Sequence, residues 1–167
     1  IAETVELAWT LQQRDEVVNA EPNWLSLVEP AAADPRLGEQ WALENTAQVL
    51  CDPVPGMLVD ADVDAFEAWA MTMGSPDVIV AVLDSGVEWD HPDLVGGMTP
   101  VDTWYDAVDG DADPRPAAGE SHGTCVAGIV VAQHDNGLGG AGLAPGCRVL
   151  PIRVATADGD SLAMQAE

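Results

Sequence analysis

The chain has 167 residues, with 29 acidic and only 5 basic side chains, for a formal net charge of -24 at pH 7. That balance excludes nucleic acid and anionic membrane surfaces as partners, because both repel a polyanion. No apolar run reaches the roughly 18 residues a membrane span needs, while hydrophobic residues at 47% supply enough for a packed core.

All five cations are arginine; lysine is absent. The charge favours a self-repelling surface, cation binding or a saline environment. Three cysteines, Cys51, Cys125 and Cys147, are too few and too scattered for a zinc site. One disulfide and one free thiol would suit an exported protein, and a Cys125–Cys147 pair is left open.

In chain order, residues 4–18 place Val5, Ala8, Trp9 and Leu11 on one helical face. The following VVNAEPNWLSLV reads as extended and stops at Pro30. Ala31 to Glu39 is rich in Ala, Pro and Asp and reads as a linker. After the short mixed piece QWALENT, Pro53, Pro55, Gly56, Asp60 and Asp62 mark a loop. Asp64 is placed to cap a helix holding Ala65, Phe66, Ala68, Trp69 and Met73, stopped by Gly74.

The run Val78 to Leu83 is apolar and mostly β-branched, the signature of a parallel strand buried on both faces. It ends at Asp84. A carboxylate at the carboxyl end of such a strand stands where open α/β sheets hold their chemistry. Residues 96–120 read as a loop with a dense acidic tract, DAVDGDADPRP. Ser121 to Gln133 reads as a helix with His122 in its first turn. A glycine-rich loop at 137–142 leads to Arg148–Val154, a second strand candidate that Pro151 counts against. Strand, loop, helix, loop, strand is the pattern of a right-handed βαβ crossover.

Asp84 closes one element and His122 opens another. An aspartate that accepts a hydrogen bond from imidazole fixes its tautomer and stabilises the imidazolium. An Asp and a His taken bare are common in any α/β protein, but their surroundings are specific. VAVLDSGVEWDHPDL, then ESHGTCVAGIV, then NGLGGAGLAP resemble the subtilisin-like serine proteases in order and spacing. The resemblance implies an α/β fold with a mainly parallel sheet flanked by helices, Asp84 as orienting acid and His122 as general base. His91, in HPDL, is expected to be structural.

The family's nucleophilic serine and oxyanion-hole asparagine lie farther along. None of Ser26, Ser75, Ser85, Ser121 and Ser161 has the required context. The resemblance therefore implies two pieces: residues 1–30 as the C-terminal part of a propeptide, and 31–167 as the N-terminal half of a catalytic domain, inactive alone. It implies a secreted endopeptidase whose partners are a protein or peptide substrate and its own propeptide. The alternative is a non-catalytic binding protein built on a degenerate domain of this kind. A nucleotide-binding domain is disfavoured, since the glycines at 137–142 precede a strand and no GKS or GKT occurs.

The same resemblance implies structural Ca2+, which takes six to eight oxygen ligands. One implied site joins Asp93 and Asn136 with the carbonyls of Leu138 and Gly140, and Asp34 as a further ligand. A second joins Asp106, Asp111 and Asp113, whose mutual repulsion would favour a cation; a solvated acidic loop is the other reading. Ser85 stands where kexins carry a second aspartate, so their dibasic specificity is not implied. Cys125, in the HGT segment, is expected to be a buried, inert thiol.

Overall fold

The computed structural model describes residues 10–11, 13–14, 34–48 and 58–156. The propeptide assignment to 1–30, the loop prolines Pro53 and Pro55, and Cys51 and Ser161 fall outside these residues or almost wholly so.

The described residues form one three-stranded sheet in the order β1–β3–β2. Strand β1 is Ile79–Asp84, β2 is Tyr105–Asp106 and β3 is Arg148–Arg153. Both pairings are parallel. Helix α1 is Ala65–Trp69 and α2 is His122–Val131. Parallel strands need a crossover, and α2 supplies it between β2 and β3. The parallel α/β architecture expected from the alternation of elements is therefore present.

The β1–β3 register runs from Ile79 opposite Arg148 to Asp84 opposite Arg153, so the carboxyl ends of both strands lie at the same end of the sheet. Helix α2 packs on one face. Ala127 and Val131 are fully buried there, against Val82 and Val149. Val87, Leu94, Met98, Ala132 and Cys147 complete this core. A smaller cluster of Leu37, Leu43, Ala65 and Ala141 takes Phe66 and Trp69 against it. Gln40 joins the two ends of this cluster: its Oε1 accepts the Ala141 N–H at 2.7 Å and its Nε2 donates to the Ala141 carbonyl at 2.8 Å.

Three local expectations are corrected. β1 is not buried on both faces: Ile79 is 56% and Leu83 52% exposed, because α2 covers only the face carrying Val82. Asp64 makes no capping bond; its own N–H is bound instead by Oδ1 of Asp62 at 2.8 Å. Helix α1 stops at Trp69 rather than running to Met73. Its last turn tightens, with Met71 and Thr72 N–H groups both directed to the Ala68 carbonyl, and the Thr72 hydroxyl takes the Gly74 N–H.

Pro151 sits inside β3 and is fully buried. Arg148 donates its N–H to Val78, on the β1 side. The Val149 and Arg153 carbonyls face the other way, accepting from Thr99 and Ala107. Pro151 shares that second direction, and β2 reaches only Ile152 and Arg153. The missing N–H thus falls in a gap of the ladder, which is how a central strand accommodates proline.

Candidate active site

Asp84 is the last residue of β1 and His122 the first of α2. The crossover brings strand end and helix start together. Nδ1 of His122 lies 2.8 Å from Oδ1 and 3.0 Å from Oδ2 of Asp84. The carboxylate is largely enclosed, 18% exposed, whereas the imidazole is 75% exposed. With Nδ1 occupied by Asp84, the open part of the ring carries Nε2 outward.

The surroundings favour the charged forms of both groups. Burial pushes the Asp84 carboxyl up, but hydrogen bonds from His122 and from Ser85 outweigh it and hold it below the usual carboxylate range. The hydrogen bond to Asp84, then its charge, raises the His122 imidazole above its ordinary value; Glu120 adds to the effect against slight desolvation. An imidazole oriented through Nδ1 and made more basic can take a proton at Nε2.

The local packing explains the fit. A Cβ on Gly123 would collide with the Gly86 carbonyl and meet Asp84 Cβ at 2.9 Å, so only glycine lets α2 start this close to β1. The Gly123 N–H reaches Oγ of Ser85 at 3.3 Å, and the Ser85 N–H donates to Asp84 Oδ1 at 2.7 Å. The Glu88 N–H donates to Oγ1 of Thr124 at 2.9 Å. Ser85 and Thr124 are supports that the sequence reading did not assign; their signal was adjacency to Asp84 and His122. His91 is structural, its Nδ1 accepting the Asp93 N–H at 3.2 Å.

The residues of the first calcium proposal gather around one loop. Asp34 Oδ2 accepts the Asp135 N–H, and its Oδ1 those of Asn136 and Gly137. Asp93 Oδ1 accepts from Nδ2 of Asn136 at 2.8 Å, and its other oxygen lies against Gly139, where a Cβ would overlap it. Leu138 gives its N–H to Oδ1 of Asn136. The donor set is rich in oxygen, but both Asp34 oxygens accept backbone N–H groups and Asn136 turns its amide nitrogen to Asp93, so a cation would have to take the place of these bonds.

In the second group the Asp106 N–H donates to the Asp111 carbonyl at 2.9 Å, but the side chains turn to different partners. Asp106 is buried and pairs with Arg153 at 2.9 Å while accepting the N–H groups of Val108 and Asp109. Asp111 accepts the Asp113 N–H, and Asp113 accepts Nε1 of Trp89 at 2.9 Å. Among the described residues no three His, Cys, Asp or Glu side chains group as a metal site. The repulsion that argued for a cation here is met by Arg153, which also pairs with Asp109 at 2.7 Å. Asp106 in particular does not fit a metal ligand.

Both described cysteines are free, Cys147 buried and Cys125 exposed. The expectation of a buried Cys125 is corrected: it lies on the outer face of α2 with Ile129, which is also exposed.

The sequence model of the subtilase family matches residues 75–167. The halolysin-like extracellular serine protease Nep of Natrialba magadii is 37% identical over 84% of this chain and 23% of its own length. Mouse furin is 34% identical over 72% of this chain and 14% of its own. The chain thus spans less than a quarter of these curated relatives. Among solved structures, the serine protease of Aeromonas sobria superposes with a TM-score of 0.66 at 29% identity, over 78% of this chain and 21% of that one. A protease of Pseudoalteromonas arctica gives 0.58 at 33% identity, over 77% and 40%. Motif order, parallel fold and family match agree: this chain belongs to the subtilase family.

Proposed function

We propose that this chain supplies the acid and base of a serine-type endopeptidase. The observation that carries the proposal is the Asp84–His122 contact at 2.8 Å, with the far side of the ring open. In this reading His122 takes the proton of a serine hydroxyl through Nε2 as the oxygen attacks the scissile carbonyl. Asp84 holds the imidazolium that forms, and His122 then gives the proton to the leaving amine. The serine and the oxyanion-hole asparagine come from sequence beyond residue 167.

Substrates in this reading are proteins or peptides, and the protein's own propeptide, residues 1–30, is a further partner. The extracellular designation of the Natrialba magadii relative supports secretion. Structural Ca2+ is proposed at Asp34, Asp93, Asn136 and the carbonyls of Leu138 and Gly140.

The test is hydrolysis of a protein substrate by the full-length protein encoded with this chain. His122→Ala should lower kcat by about 10⁶-fold and Asp84→Asn by about 10⁴-fold, the scale of triad substitutions in serine proteases. Full retention of activity in His122→Ala would overturn the assignment. A full-length protein that binds peptides without cleaving them would instead support the non-catalytic alternative.

A further inference from the structure

The turn that follows Asp84 is held from both sides. On one side stands the start of α2, through Gly123, Thr124 and Ser85, as described above. On the other stands the loop 113–116. The Val87 N–H donates to the Pro114 carbonyl at 2.9 Å. Gly86 has a positive φ of 106°, and a Cβ there would meet the Pro114 carbonyl at 2.7 Å and the Pro116 nitrogen at 2.8 Å. This loop presses on the backbone two residues from the carboxylate.

Arg115 adds a side-chain clamp to this backbone contact. The Arg115 guanidinium lies 4.7 Å from the ring centroid of Trp89, a cation–π contact. Its NH1 and NH2 also reach both oxygens of Asp90, each at 2.9 Å, a bidentate fork. Trp89 is a firm platform: its ring is 5.1 Å from that of Trp104 and its Nε1 donates to Asp113. Trp104 is anchored in turn by Nε1 to the Thr99 carbonyl at 3.0 Å. Arg115 therefore ties the loop 113–116 to the segment 89–90 across two kinds of contact. Lysine could supply neither the planar stack nor the fork.

We propose that Arg115 is a positioning residue for the Asp84–His122 pair, acting by clamping the loop 113–116 onto the Gly86–Val87 turn so that the Asp84 carboxylate stays aimed at Nδ1. This rests on reading that pair as the acid and base of the protease.

The test titrates the His122 imidazole by NMR in the full-length protein. The charged groups near the ring are Asp84 and Glu120. Around Arg115 they are Asp90, Asp113 and Glu88. Removing a cation can, by charge alone, only raise an imidazole midpoint. Loss of aim would weaken the Asp84 bond and lower it. The two effects have opposite signs.

In Arg115→Met the His122 midpoint should therefore fall, in the same direction as in Asp84→Asn. Arg115→Lys, which keeps the charge, should also fall. In the full-length enzyme both variants should lower kcat with little change in KM. A midpoint that stays or rises in Arg115→Lys and Arg115→Met, while it falls in Asp84→Asn, overturns the clamp and leaves the pair intact. A midpoint unmoved by Asp84→Asn overturns the pair itself. If Arg115→Met does not fold, Arg115→Lys decides alone: it keeps the charge, removes the fork and the planar stack, and the same fall is required of it.

Discussion

Asp84 and Arg153 end neighbouring strands in direct register, yet their side chains serve different partners. Asp84 turns to His122 and Arg153 to Asp106 and Asp109. In a strand successive side chains point to alternate faces, and equal register puts both residues on one face. Among the described residues strand β1 lies at the edge of the sheet and β3 at its centre. The edge position leaves Asp84 free to meet the helix start, while Arg153 is drawn under β2. Two opposite charges at adjacent strand ends are thereby kept for separate tasks.

The Asp84–His122 pair sets a pH window. The His122 midpoint is raised, so its contribution to stability is fully present below the ordinary imidazole value of about 6.5 and fades as pH rises through the folded value. The Asp84 midpoint is lowered, so its contribution is present above about 3.9 and fades as pH falls through the folded value. The difference in urea midpoint between this chain and Asp84→Asn should be largest between about pH 4 and 6.5. A difference that does not vary across pH 3 to 9, on the order of this whole range, would contradict the coupling. In the full-length enzyme the base must be neutral, so the acid limb of kcat/KM should lie above the ordinary imidazole value.

Gly123→Ala should break the pair without replacing either member. The added methyl overlaps the Gly86 carbonyl and Asp84 Cβ, both parts of the turn below. Helix α2 must move outward, and His122 moves with it. The expected outcome is loss of the raised His122 midpoint in an otherwise folded chain. Gly128→Ala is the control: a Cβ there meets nothing within 4 Å, and alanine should stabilise the helix by up to about 1 kcal/mol.

Arg153 and Asp106 form an enclosed ion pair, 9% and 1% exposed. Arg153→Ala strands a buried carboxylate and should cost about 3 kcal/mol in urea unfolding. The double change Arg153→Leu with Asp106→Leu should recover much of that loss, because paired apolar replacement of a buried pair is often near neutral. Equal instability of single and double variants would show that the carboxylate's backbone contacts to Val108 and Asp109 matter more than the charge.

Calcium addition gives a direct assay of the Asp93 loop. Millimolar Ca2+ should raise thermal stability, and Asp93→Asn should abolish the gain while Asp111→Asn leaves it. Stabilisation by a ligand grows as the logarithm of its concentration over Kd. No response to calcium would remove the metal proposal.

The apolar run ending in Asp84 and the helix start at His122 were legible from local pattern, but their pairing was legible only through the resemblance of the motifs around them to the subtilases. The crossover rule then limits where the two can meet. The boundaries of α1 were not legible: hydrogen bonds of Thr72 and Asp62, not periodicity, decide them. Strand β2 escaped notice because two residues show no alternation. Arg115 and Arg153 were hidden for another reason. Nothing in sequence tells which of many acids a given arginine will meet, and at 29 acids to 5 bases the choice is made by tertiary packing.

The charge predicts a salt response. Twenty-nine acids against five bases repel across a small surface. Screening shortens from about 10 Å at 0.1 M salt to about 3 Å at 1 M. The urea midpoint should rise with sodium chloride over that range, and a flat or falling midpoint would show that the acids are not straining the fold.

The uncovered flank of β1 gives that repulsion a second consequence. Ile79 and Leu83 leave an oily strip on the face of β1 that α2 does not cover, in row with Tyr105 of β2 across the central strand. Such a strip is a surface on which another copy can settle. Like charge holds copies apart at neutral pH and low salt. Adding enough salt to firm the fold weakens that colloidal guard, so a condition that steadies one molecule is one in which many begin to stick.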